Sequence, residues 1–130
     1  MEKKRYMILS AAMAVSLLLL LIFMAFMLAR VRTNELSEKN YSELDLGQVA
    51  DGRYLGEEFA GLVKVRLEVT VGDSEIEGID ILLHRQIRGK AAEAILADII
   101  RAQSVDVDAI SGATSSSEVI KAAVYNALNQ

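Results

Sequence analysis

Leu62–Val71, LVKVRLEVTV, runs through Gly72-Asp73-Ser74 into Glu75–His84, EIEGIDILLH, and this stretch decides the fold of the 130-residue chain. Val63, Val65, Leu67, Val69 and Val71 alternate with Lys64, Arg66, Glu68 and Thr70, the period-two pattern of a strand with one face buried and one in water. A hairpin follows. Gly72-Asp73-Ser74 supplies turn residues, and the partner strand Glu75–His84 sets Ile79, Ile81 and Leu83 on one face. Ile76 is out of phase with that trio, which predicts a bulge at Gly78.

Upstream, two glycines bracket a Tyr/Leu pair in Asp51-Gly52-Arg53-Tyr54-Leu55-Gly56, which reads as a turn entering a short strand. Downstream the period changes to that of helices. Ala92, Ile95, Leu96 and Ile99 fall on one face of a helix across Gly89–Ala102, and Val119, Ile120, Ala123, Val124, Ala127 and Leu128 on one face of a terminal helix. Ser115 with Glu118 three residues later resembles a capping box for that last helix. Strands first and helices after predict an α+β domain, a small antiparallel sheet packed with two helices.

The N-terminal part is a different object. The chain is 52% hydrophobic with a mean hydropathy of +0.28 although 25% of its residues are charged, so the apolar excess is concentrated in one place. Met7–Ala29 holds no charge, and roughly 34 Å of helix from this run is enough to cross a hydrocarbon layer of about 30 Å. A transmembrane anchor over about residues 7–29 is predicted. A cleaved signal would have a shorter apolar run and a small residue where Met27 stands. Lys3, Lys4 and Arg5 precede the span, whereas Arg30 and Arg32 soon meet Glu35 and Glu38, so the N-terminus is expected in the cytoplasm and the domain outside the cell membrane. The predicted organisation is anchor 1–32, polar juxtamembrane stalk 33–50, and compact domain 51–130.

Charge and composition exclude several functions. Residues 1–32 carry a formal +4 and residues 33–130 a formal −8, so the domain lacks the basic footprint that nucleic-acid binding needs. With no Cys there is no thiol catalysis, iron–sulfur ligation or lipid-anchor cysteine. His84 is the only histidine, which rules out a two-histidine metal site, and no nucleophile elbow accompanies it. No catalytic residue and no metal ligand set is predicted.

One segment stands apart, Asp108-Ala109-Ile110-Ser111-Gly112-Ala113-Thr114-Ser115-Ser116-Ser117 between the two helices. Its small residues allow close backbone approach, and its hydroxyls lie where a helix leaves N–H groups free, a place that suits either simple capping or an anion such as phosphate. Here the chain resembles a family. Asp108-x-x-Ser111-Gly112-Ala113-Thr114 is similar to the Asp-x-x-Ser/Thr-Gly-Ala-Ser/Thr signature of FMN-binding domains in the G-type subunit of Rnf complexes, the C-type subunit of sodium-pumping NADH:quinone reductase, and small extracytoplasmic flavoproteins. Asp51-Gly52-x-Tyr54-x-Gly56, the strand hairpin, His84, Gln103-Ser104 and the Ala-rich last helix follow the family's order, so the resemblance covers about residues 51–128.

The resemblance implies FMN held covalently, by a phosphodiester on Thr114 made by a separate ApbE-type flavin transferase that uses FAD and magnesium. It implies loop-shaping roles for Ser111, Gly112 and Ala113, and a loop-fixing or transferase-recognition role for Asp108. Many members have a bulky residue and then Thr after the signature, whereas this chain has Ser115 and Ser116, so the flavin contacts near Ser115 are expected to differ. The expected function is an electron carrier on the outer membrane face, fed by a membrane redox protein and passing electrons to an external acceptor. Sharing one membrane would raise the partners' effective concentration. The competing expectations are a non-redox assembly subunit of a membrane complex and a reductase acting directly on a small substrate.

Overall fold

The computed structural model describes residues 1–130. Helix α1 runs from Glu2 to Ser37 without interruption, followed by a 3-10 turn at Leu46–Gln48 and by strands β1 (Gly52–Ala60), β2 (Val63–Gly72) and β3 (Glu75–Arg85). A 3-10 segment at Lys90–Ala94 then leads into helix α2 (Ile95–Ala102), and helix α3 (Thr114–Leu128) closes the chain. The sheet is antiparallel in the order β1-β2-β3, which gives the α+β architecture expected from the pattern. The helix predicted across Gly89–Ala102 is thus 3-10 in its first turn and α only from Ile95.

Both hairpins are tight. Gly72 pairs with Glu75 across Asp73 and Ser74, whose φ values of 51° and 63° are those of a type I′ turn. Ala60 pairs with Val63 across Gly61-Leu62, and Gly61 at φ 59° takes the left-handed position that a side chain would resist. On the inner face of β2, Val65, Leu67, Val69 and Val71 are buried, as the alternation predicts. Full burial of such a side chain contributes about 1.5–3 kcal/mol, so this row is the backbone of the core.

β3 departs from simple alternation twice. Thr70 pairs with Gly78 and Val71 with Ile76, leaving Glu77 as the extra residue, so the bulge lies beside Gly78 and returns Ile76 to the core. A second bulge leaves Leu82 unpaired between Ile81 and Leu83. It reverses the phase of the strand's end. Leu83 faces outward with its partner Arg66, contrary to the expectation that it joins Ile79 and Ile81, and His84 turns inward opposite Val65.

Helix α3 covers the inner face of β1 and β2, and α2 lies against β3. A Cβ at Gly56 would collide with the carbonyl of Ala123, so glycine here is what lets the helix backbone rest on β1. β1 itself extends through Ala60, well beyond the short strand expected at Tyr54-Leu55.

Residues 33–50 do not stand away from the domain as a stalk. Leu36 and Tyr41 are buried in the common core, and Leu44, Leu46 and Val49 pack against it. The Tyr41 hydroxyl donates to the Leu36 carbonyl at 3.0 Å, its ring meets Tyr125 edge-on at 5.5 Å, and burial pushes its phenol pKa upward. The covered face of α1 begins at Ala29 and continues through Thr33 to Leu36, one stripe at helical spacing. Beside it Arg32 reaches Glu58 of β1 at 3.1 Å, and Asn126 of α3 donates to the same carboxylate at 3.3 Å. Burial works against the Glu58 charge, but the Phe59 N–H, Arg32 and Asn126 outweigh it and hold its pKa below the ordinary range. The preceding part of α1 is long and apolar enough to cross a membrane, and none of it is covered by the rest of the chain.

Candidate functional site

The segment singled out by its hydroxyls becomes the N-terminus of α3. Thr114 is the first residue of the helix and Ala113 its cap, a residue with no side chain to bond the free N–H groups. The helix therefore starts two residues before the position that a capping box of Ser115 and Glu118 would give it. Ser115 is exposed and caps nothing, while Glu118 is buried with its Oε1 3.5 Å from the Lys121 ammonium. The N–H groups of Thr114, Ser115 and Ser116 find no acceptor within the chain, and the first helical bond comes only from Ser117 N–H to Ala113 O.

These free donors open into a groove of about 410 Å³ lined by Leu62, Val63, Ile87–Gly89 and Gly112–Ser116. Arg88 is the only charged residue among them. A helix start with three unused N–H groups, an adjacent guanidinium and no carboxylate has the donor chemistry that suits an anion, and the apolar wall of Leu62, Val63 and Ile87 suits an aromatic body attached to it. The donor set therefore fits a flavin phosphate. Thr114 and Ser115 are exposed residues of the groove lining.

Two glycines shape the groove for different reasons. Gly112 has φ 78° with nothing within 4 Å of the place a Cβ would take, so its backbone conformation alone calls for glycine. Gly89 has an ordinary backbone, but a Cβ there would collide with Ser116, so it is a contact between the β3–α2 loop and α3.

The other signature residues are spread more widely. Ala113 is buried and lines the groove, whereas Ser111 is exposed and Asp108 lies outside it, beside Asp98, Arg101 and Asp106. Asp108 makes no hydrogen bond within the chain. Ser117, counted in the sequence only among the segment's hydroxyls, ties the loop instead: its fully buried hydroxyl accepts from Ile110 N–H at 3.0 Å and donates to Ala113 O at 2.9 Å. Its signal was its place four residues after Ala113, where a helical hydroxyl reaches back to the carbonyl.

Gln103 and His84 also hold structure. Gln103, in the left-handed region at φ 50°, accepts from Ile76 N–H at 2.7 Å and donates to Ile76 O at 3.0 Å, extending the edge of β3 as a further strand residue would. His84 Nδ1 lies 2.9 Å from Glu93 Oε1, pinning the end of β3 to the 3-10 segment. Hydrogen bonds from Lys90, and then from His84, keep the Glu93 pKa below the ordinary range.

Fold and groove together define a small α+β domain behind an apolar helix, with an uncapped helix start opening into a groove. The chain belongs to the FMN-binding domain family, whose sequence profile it matches over residues 59–129. It is also 32% identical over 133 aligned residues to a protein of Treponema pallidum (strain Nichols) described as uncharacterized, an alignment that takes in 93% of this chain and 35% of the relative. The chain thus spans about a third of the length of that curated relative.

Proposed function

We propose that this chain is a membrane-anchored flavoprotein that carries FMN covalently on Thr114 and relays electrons from a membrane redox protein to an acceptor outside the cell membrane. The observation that carries this reading is the exposed Thr114 hydroxyl at an uncapped helix start, inside a groove whose only charge is Arg88. Attachment by an ApbE-type transferase would form a bond from Thr114 Oγ1 to the phosphorus of the flavin phosphate. It would break the pyrophosphate of FAD, with AMP leaving and the hydroxyl proton passing to the transferase; magnesium serves that enzyme only.

The chain's own residues then hold the product. The N–H groups of Thr114, Ser115 and Ser116 and the Arg88 guanidinium would offset the charge of the diester, and Leu62, Val63 and Ile87 would offer apolar surface to the flavin. Bound FMN supplies one- and two-electron transfer, and the protein sets its position and surroundings. Asp108, exposed and unbonded, is available to the transferase as a recognition residue. α1 supplies the anchor, with its N-terminus on the cytoplasmic side.

Co-expression with an ApbE-type transferase tests the attachment. The wild-type chain is expected to give a fluorescent band that survives denaturing electrophoresis, and a mass raised by one FMN phosphoryl group. Thr114→Val is expected to abolish both while the circular dichroism spectrum is unchanged. A colourless wild type in the presence of active transferase and FAD overturns the reading, and a label that persists in Thr114→Val moves the attachment to Ser115 or another hydroxyl.

A further inference from the structure

At the end of the sheet nearest α1, three large apolar side chains stand in solvent: Phe59 is 60% exposed, Leu62 68% and Ile87 74%. They form one tip. Phe59 precedes the β1–β2 turn, Leu62 lies in it, and Ile87 lies in the loop after β3 and shares the groove wall with Leu62. The turn also touches α1, because a Cβ at Gly61 would overlap the Cβ of Ala29. Ala29 is the last residue of the charge-free run, and Arg30 follows it. The tip is therefore level with the point where the apolar part of α1 gives way to its charged part. If α1 spans a bilayer, that level is the boundary between acyl chains and headgroups.

Charge agrees with this placement. Arg30, Arg85 and Arg88 lie at the same end and form no ion pair, whereas the opposite hairpin, Gly72–Gly78, holds Asp73, Glu75 and Glu77 and no cation. An acidic domain that turns unpaired arginines toward the end of its anchor complements an anionic lipid surface. We infer that the β1–β2 turn and the Gln86–Gly89 loop form a lipid-docking tip. Phe59, Leu62 and Ile87 enter the bilayer interface beside α1, Arg30 and Arg85 meet lipid phosphates, and Arg88, which the proposed function gives to the flavin diester, joins them in the flavin-free chain. The inference rests on the spanning role proposed for α1, and it places the mouth of the Thr114 groove at the membrane surface.

The chain contains no Trp, so a single introduced Trp is a unique reporter. The full chain, made without transferase and therefore free of flavin, is reconstituted in phosphatidylcholine–phosphatidylglycerol vesicles with or without brominated acyl chains. Phe23→Trp reports on the span; Leu62→Trp and Ile87→Trp report on the tip. Leu55→Trp, exposed on β1 about 13 Å from Phe59 by strand spacing, reports on the sheet beyond it. Bromolipid is expected to quench the reporters at 23, 62 and 87, with the two tip residues about 5–10 Å deep, and to spare the one at 55. Quenching at 23 without quenching at 62 and 87 leaves the anchor intact and overturns the tip, including the case where another protein covers it. Loss of quenching at 23 overturns the spanning role itself. Arg85→Gln with Arg88→Gln is expected to reduce quenching at 62, and unchanged quenching would overturn the headgroup contact.

Discussion

Replacing Ser117 by Ala should loosen the Thr114 loop without disturbing the core. The hydroxyl is the sole partner of Ile110 N–H, at 3.0 Å, whereas Ala113 O keeps its bond from Ser117 N–H at 2.9 Å when the hydroxyl is lost. The cost is therefore that of one half-buried amide left unsatisfied, about 1–2 kcal/mol. Since about 1.4 kcal/mol is a factor of ten in an equilibrium, hydrogen exchange at the Ile110 amide is expected to rise roughly tenfold. Amides in β2 should not change beyond the small global loss. Ser115→Ala is the control: Ser115 is exposed and bonds nothing, so its removal should stay within about 0.5 kcal/mol, whereas a true capping serine would cost about 1 kcal/mol. Ile110 exchange within about twofold of wild type in Ser117→Ala would refute this account of the loop.

Gly112→Ala should destabilise the domain by about 1–2 kcal/mol through its left-handed backbone alone, and Gly112→Asn by less, as read from urea unfolding of the two variants. Gly89→Ala should lower the melting temperature by collision with Ser116, and Ser116→Gly in the same chain should restore part of the loss; no restoration would mean the contact is not the cause. Glu58, whose pKa is lowered in the folded state, contributes stability above the ordinary carboxylate pKa that disappears as pH falls through its folded value. Glu58→Gln should therefore flatten the acid limb of the stability–pH curve, and an unchanged limb would assign acid sensitivity elsewhere. Arg32→Ala should increase hydrogen exchange across Thr33–Leu36 by freeing the end of α1 from β1.

The alternation from Val63 to Val71 carried the sheet because β2 is its central strand, with every inner residue packed. β3 was less legible. The bulge at Leu82 leaves no mark in LLH, where two leucines in succession fit either phase, so the inward turn of His84 shows only once the strands are paired. Leu36 ends a helical stripe whose other covered members, Ala29 and Thr33, are small or polar, and Tyr41 docks from beyond the helix, so a polar run with isolated apolar residues reads as a stalk. The Thr114 segment stood out by composition, but the helix starts two residues ahead of its capping-box position, and that shift decides whether the N–H groups are capped or free. Leu62, Val63 and the Ile87–Gly89 loop join the groove through tertiary folding alone, and no local pattern marks them.

The unbroken course of α1 from the apolar run into the stripe Ala29–Leu36 sets a rule of rotation. With no glycine or proline between them, nothing along that path acts as a swivel. The domain is geared to the helix: one residue added to the apolar segment would turn the whole groove by about 100° around the helix axis. A redox partner fixed in the same bilayer would then meet the Thr114 groove on one side only, so its compass bearing, more than its distance, would be what an inserted residue destroys.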